Sequence, residues 1–194
     1  MAGSSTAEGR DPPPEPEQPV FYFDLASAEA YLTAERVLRD LPVLAEWIPI
    51  LAPSLAEPDR DVIEATVARR GLQPVRWPPA VPFDSAFAMR AATFAKQIGR
   101  TVAFAQAAFR QAYAGGRDLS VPDNVLIASA ACEMHPASLL KGTGLRSIQK
   151  RLDDATRVAI ERGVTTAPAI WTGAAVFHGD AGVEAAAHAL LTQA

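Results

Sequence analysis

Cysteine is among the residues this sequence has least of. A single thiol, Cys132, stands in 194 residues. That excludes an internal disulfide framework and any Cys-x-x-Cys redox or metal site. Dithiol–disulfide exchange within one chain is excluded with it, because the exchange needs two sulfurs. Histidine is scarce as well. His135, His178 and His188 lack the spacing of a His-based metal site, so no metal is expected. Excess positive charge is missing: the net charge is −4 and no Lys/Arg block occurs. A phosphate-binding partner usually demands a basic face, so nucleic acid is not expected. The pairs Arg69-Arg70 and Lys150-Arg151 read as solvated helix faces. No apolar run reaches bilayer-spanning length, and no membrane partner is expected. Positions 1–19, rich in Gly, Ser, Pro and Glu around Pro12-Pro13-Pro14, lack the apolar stretch of a signal peptide. The expected location is therefore cytoplasmic. Such a tail buries too little apolar surface to offset its ordering entropy, and disorder is expected over 1–19.

What is present suits one well-buried globular unit: 49% hydrophobic and 21% charged residues. Val20-Phe21-Tyr22-Phe23 is a β-branched and aromatic run that predicts a buried strand. From Ala28 the apolar residues Ala30, Tyr31, Ala34, Val37, Leu38 and Leu41 recur at three- and four-residue steps, which predicts a helix that Pro42 stops. Val43 to Leu51 reads as a second strand, with Pro49 implying an edge position or a bulge. That order is a βαβ unit with a parallel pair.

Between positions 59 and 154 no strand signal occurs. Asp59–Arg70 predicts a helix ended by Gly71. Pro74–Pro82 is too proline-dense for regular structure. Asp84 can cap a helix running to about Gly99, and Val102, Ala105, Phe109 and Tyr113 stripe the next. Ser120-Val121-Pro122 resembles a capped helix start leading to about Met134, and Pro136 opens a shorter helix. After Leu145 the pattern returns to a long helix closed by Gly163, two short strands around Thr172-Gly173, and a last helix that Asp180 can cap. The expected fold class is α/β: a thioredoxin-like βαβ … αββα unit over 20–58 and 155–194, interrupted by a helical insertion over 59–154.

In that order of elements the chemically active position is the first turn of the first helix, here Ser27. The segment Phe21-Tyr-Phe-Asp-Leu-Ala-Ser27-Ala-Glu-Ala-Tyr31-Leu32 resembles the opening of the DsbA-like superfamily. It is more similar to the superfamily's redox-silent branch, the 2-hydroxychromene-2-carboxylate isomerases and kappa-class glutathione transferases, which place serine at this turn. Trp47-Ile-Pro49 resembles their second strand. Phe109-Arg-Gln-Ala-Tyr113 with Gly116-Arg-Asp118 resembles their helical insert. Gly163-Val164 followed by Ala167-Pro168 resembles their run into a cis-proline.

The resemblance implies a glutathione-dependent isomerase or transferase, using glutathione or another low-molecular-weight thiol, acting on a small aromatic or electrophilic substrate. It also implies a homodimer. Ser27 would donate a hydrogen bond to the ligand thiolate, and Ala167, before Pro168, would present its backbone to the ligand's cysteinyl part. Asp180 would recruit the ligand ammonium, and Trp77, in the proline-rich loop, would stack over the ligand.

Each residue also has a plainer use. Ser27 can cap its helix, Pro168 can be an ordinary turn residue, and Trp77 can cover the seam between domain and insertion. Cys132 reads as a buried small hydrophobe and His178 as an exposed loop residue before the last helix. The chain departs from the family where Ala28 follows the serine, where Glu29 brings a carboxylate to the active turn, and where Ala181 and Gly182 stand in place of an Asp-Arg pair. Those departures carry the alternative reading: a catalytically silent thioredoxin-like module that binds a peptide or partner protein.

Overall fold

The computed structural model describes residues 17–193. The tail expected over 1–19 therefore lies outside the described residues apart from its last three. The elements run β1 (Val20–Phe23), α1 (Ala28–Ala34), α2 (Val37–Asp40), β2 (Glu46–Pro49), α3 (Arg60–Arg69), α4 (Ala86–Gln97), α5 (Thr101–Tyr113), α6 (Pro122–Ala130), α7 (Pro136–Thr143), α8 (Arg146–Glu161), β3 (Ala169–Trp171), β4 (Val176–His178) and α9 (Gly182–Gln193).

The four strands form one mixed sheet in the order β2-β1-β3-β4. β1 pairs parallel with β2, and antiparallel with β3. This is the α/β thioredoxin-like arrangement expected from the order of elements, with five helices, α3 to α7, between its halves. Position 155 lies inside α8. Proline at the end of β2 is tolerated because β2 is an edge strand and loses no ladder bond on its open side.

β1 is buried on both faces because helices cover both. Phe21 and Phe23 join Trp47 and Ile170 on one face, against α1, α4, α5 and α9. Val20 and Tyr22 join Ala169 and Trp171 on the other, against Ala159 of α8. Alternation along the strand sends successive side chains to opposite cores. The Phe21 and Trp47 rings meet edge to face at 4.8 Å, a favoured aromatic geometry.

Several local expectations change. The helix predicted through Leu41 is broken at Glu35–Arg36 into α1 and α2. The second strand shrinks from Val43–Leu51 to Glu46–Pro49, while Val43 and Leu44 stay exposed. The helix expected to reach Met134 ends at Ala130, where the chain turns through Glu133 in the left-handed region (φ 58). Ser120 does not cap that helix; its N–H is instead held by Asp118 at 2.8 Å.

Candidate functional site

The turn from β1 into α1 is built around a buried carboxylate. Asp24 accepts the Ala26 N–H and the Ala52 N–H, each at 3.0 Å. It is 2% exposed. Burial pushes its pKa up, against the pull of those two N–H groups and the Ser85 hydroxyl beside it. Ser85 stands at the start of α4 without capping that helix. The insertion grips the same turn twice more: the Leu25 N–H points at Met89 Sδ (3.3 Å), and the Tyr113 hydroxyl donates to the Leu25 carbonyl (3.4 Å).

Ser27 ends this turn with both hydroxyl functions engaged. Its Oγ accepts the Ala30 N–H at 3.1 Å, so it caps α1. Its O–H donates to the Ala167 carbonyl at 2.8 Å. The Ala167–Pro168 peptide bond is cis, and Ser27, Ala167 and Pro168 are all buried. The structure thus brings these three together in direct contact, with no gap between the hydroxyl and the backbone edge. α1 has only seven residues, so its dipole is short and local chemistry at the turn rests on the hydroxyl.

Glu29, two residues after Ser27, points elsewhere. Its carboxylate accepts the Asp180 N–H at 3.3 Å, fastening the first turn of α1 to the loop before α9. Asp180 itself is enclosed by cations. Arg36 reaches its carboxylate at 3.1 Å and also its carbonyl, Arg70 grips the second carboxylate oxygen, and Thr33 donates at 3.2 Å. Arg36 goes on to Glu184 at 2.6 Å and Asp40 at 3.3 Å. Arg36 is 6% exposed; burial works against its charge, but these carboxylates win and hold its pKa above the ordinary value. The break between α1 and α2 is where this guanidinium leaves the helix. The Asp180 side chain, expected to cap α9, is spent on the two arginines; its carbonyl accepts the Val183 N–H instead.

Trp77 lies on the insertion. Its indole N–H donates to Glu64 at 2.6 Å, Arg60 stands over its ring at 5.0 Å, and Tyr113 meets it edge-on at 6.3 Å. Its partners are thus on α3 and α5, and it covers a seam between helices of the insertion. His178 is not a loop residue. It is half-buried on β4, and its Nε2 accepts the Thr165 N–H at 3.2 Å, steadying the approach to Pro168. Cys132 is buried just beyond α6 with its thiol directed at the Ala128 carbonyl, and burial pushes its pKa up.

Sequence reasoning placed Ser27, Ala167 and Pro168 in one locale, passed over Asp24 and Arg36, and read Arg70 as part of a solvated helix face, whereas Arg70 is turned inward onto Asp180. Asp24 carried one signal: an acid between a buried strand and an active turn must find partners. Arg36 and Arg70 carried none, because nothing in a helical pattern announces which arginine will be covered.

No protein-family model matches the chain, and no curated protein matches it in sequence. Solved structures do match in shape. A 2-hydroxychromene-2-carboxylate isomerase aligns with a TM-score of 0.74 at 18% identity, over 91% of this chain and 97% of that one. A protein described as a probable DsbA oxidoreductase from Streptomyces coelicolor gives 0.73 at 18% identity, over 90% and 88%. The oxidoreductase DsbA from Xylella fastidiosa gives 0.62 at 13% identity, over 91% and 84%. The fold is therefore the DsbA-like thioredoxin fold that these structures share. Among the described residues no helix is long and apolar enough to cross a membrane.

Proposed function

We propose that the chain is a thiol-dependent isomerase or transferase for a small aromatic or electrophilic substrate. The observation that carries this is the Ser27 hydroxyl at the head of α1, donating to the carbonyl of the residue before a cis-proline. A hydroxyl so placed can turn from a neutral carbonyl to an ionised sulfur, an exchange that favours the charged acceptor, since charge-assisted bonds are about twice as strong. The ligand thiol supplies the nucleophilic sulfur. Ser27 orients it, and the freed Ala167 carbonyl, beside Pro168, becomes an acceptor for a ligand backbone N–H. Glu29 supports the reading because its carboxylate is held by the Asp180 N–H instead of by Ser27.

Glutathione fits this chain only at one end. Ser27 and the Ala167–Pro168 edge suit its cysteinyl part. Asp180 does not suit its ammonium, because Arg36 and Arg70 already neutralise the carboxylate. Trp77 is likewise committed to α3 and α5. Recognition then rests on the sulfur and its adjacent peptide groups, which also suits other low-molecular-weight thiols.

Calorimetric titration of the protein with glutathione tests this. Binding in the millimolar range or tighter is expected, weakened about 10- to 100-fold by Ser27→Ala, as loss of a hydrogen bond worth about 1.5–3 kcal/mol to a charged group requires. No heat up to several millimolar ends the glutathione version.

A second reading is favoured by the same hydroxyl being fully satisfied within the protein, and by Asp180 being closed off. On it, the chain is a catalytically silent module of the same fold that binds a peptide or partner protein. Absence of binding by glutathione and by other small thiols, together with an intact fold in Ser27→Ala, would select it.

A further inference from the structure

α1 and α5 pack through a stack of aromatic rings: Tyr31 lies 5.5 Å from Tyr113 at an interplanar angle of 22°, and both approach Phe109. The two tyrosines differ at their polar ends. Tyr113 donates to the Leu25 carbonyl. Tyr31 is 2% exposed, yet among the described residues its hydroxyl has no hydrogen-bond partner. It lines a trough of about 280 Å³ together with Glu35, Gly71, Leu72, Gln73 and Arg110. The Tyr31 side chain borders the trough, so its hydroxyl is left to solvent or to a ligand as acceptor.

The trough continues. A second hollow of about 520 Å³ shares Gln73 and Arg110 with the first, and follows α5 towards Gln106 and Cys132. Together they have the dimensions of a small-molecule site. The chain is led across the first hollow by Gly71, whose φ of +65 turns it sharply after α3.

The charge in this trough is balanced. Arg110 gives its Nε and one terminal nitrogen to the two Glu35 oxygens, both at 2.7 Å. Its remaining nitrogen, Nη1, has no partner among the described residues. Burial and the Glu35 carboxylate raise the Tyr31 pKa, with Arg110 opposing, so the phenol stays protonated and can donate. The site therefore offers two N–H or O–H donors without offering net positive charge.

We infer that the trough between α1, α5 and the Gly71–Gln73 segment binds a small carbonyl-bearing organic molecule, whose oxygen accepts from the Tyr31 hydroxyl and Arg110 Nη1. A paired arginine suits a neutral acceptor over a multiply charged anion, and Leu72 offers an apolar contact to the body of the ligand. This site does not rest on the thiol reading; it stands on different atoms.

The test uses 4-fluoroacetophenone as probe, followed by fluorine NMR on the full chain. Concentration-dependent broadening and shift of its signal is the expected result. Tyr31→Phe, which keeps the ring stack, should weaken the dissociation constant about three- to tenfold, the range of one neutral hydrogen bond. Leu72→Trp, made on the half-exposed loop, should block binding, while Ser27→Ala leaves it unchanged. A cooperative thermal transition well above the assay temperature would show that each variant is folded. Absence of probe binding to the wild-type chain overturns the inference. So does binding that Tyr31→Phe leaves untouched, or binding that Ser27→Ala removes, which would move the probe to the other site.

Discussion

Arg36 and Asp180 meet at 3.1 Å, joining positions 144 residues apart in the chain. Arg36 comes from the break after α1 and Asp180 precedes α9, while Arg70 at the end of α3 closes the other side. Three segments of the thioredoxin-like frame and its insertion thus converge on one carboxylate.

Removing that carboxylate strands a covered guanidinium. Asp180→Ala should destabilise the chain by about 3 kcal/mol, because a buried charge that loses its partner keeps its desolvation penalty. Glu184 remains near Arg36 and limits the loss. The double variant Arg36→Met/Asp180→Leu should be less destabilised than the sum of the singles, which urea unfolding would read as a coupling energy. Strict additivity would show the pair to be energetically idle.

Ser27→Ala removes a helix cap and leaves the Ala167 carbonyl buried without its donor. A loss of about 1–3 kcal/mol is expected in denaturant unfolding. Ser27→Thr keeps the hydroxyl and should recover most of it. A neutral Ser27→Ala would show that the carbonyl finds water.

Asp24 sets a pH dependence of opposite sign to the usual carboxylate. Its pKa is raised above the ordinary 3.8 by burial. The folded state therefore holds this proton more tightly than the unfolded chain does. Its contribution to stability is full below the ordinary value and is lost as pH rises through the raised one. The stability of Asp24→Asn relative to wild type should therefore rise with pH across that interval. A difference that stays flat with pH would contradict the burial account.

Gly142 on α7 faces the Phe94 ring so closely that an added Cβ would stand 2.4 Å from it. Gly142→Ala should cost about 1–3 kcal/mol as α4 and α7 are forced apart, despite alanine's better helix propensity. Thermal unfolding measures this, and a stabilised variant would show that the ring can swing away.

How much of the site was legible depended on what each residue's role required. Ser27 was found because the order of elements marks the start of the first helix, and Pro168 through the resemblance of Gly163-Val164 and Ala167-Pro168 to a family's run into a cis-proline. Asp180 was found as a residue but not in its role. Its partners Arg36 and Arg70 lie on helices whose periodicity says only which face is apolar. Trp77, read in its plainer use as covering the seam between domain and insertion, meets α3 and α5 inside the insertion instead, since the sequence does not say what an indole N–H will meet.

The sequence by itself determined the alternation of strands and helices, the single thiol that rules out dithiol exchange, and the turn residues that end most helices. These follow from short-range rules: side-chain periodicity, capping, and the backbone limits of proline and glycine. Only the tertiary structure decided that Ser27 touches Ala167, that Asp180 is held between two arginines, and that the Tyr31 hydroxyl opens onto a trough. Those contacts join residues far apart in the chain, and which polar groups become covered is settled only when packed elements exclude water from between them.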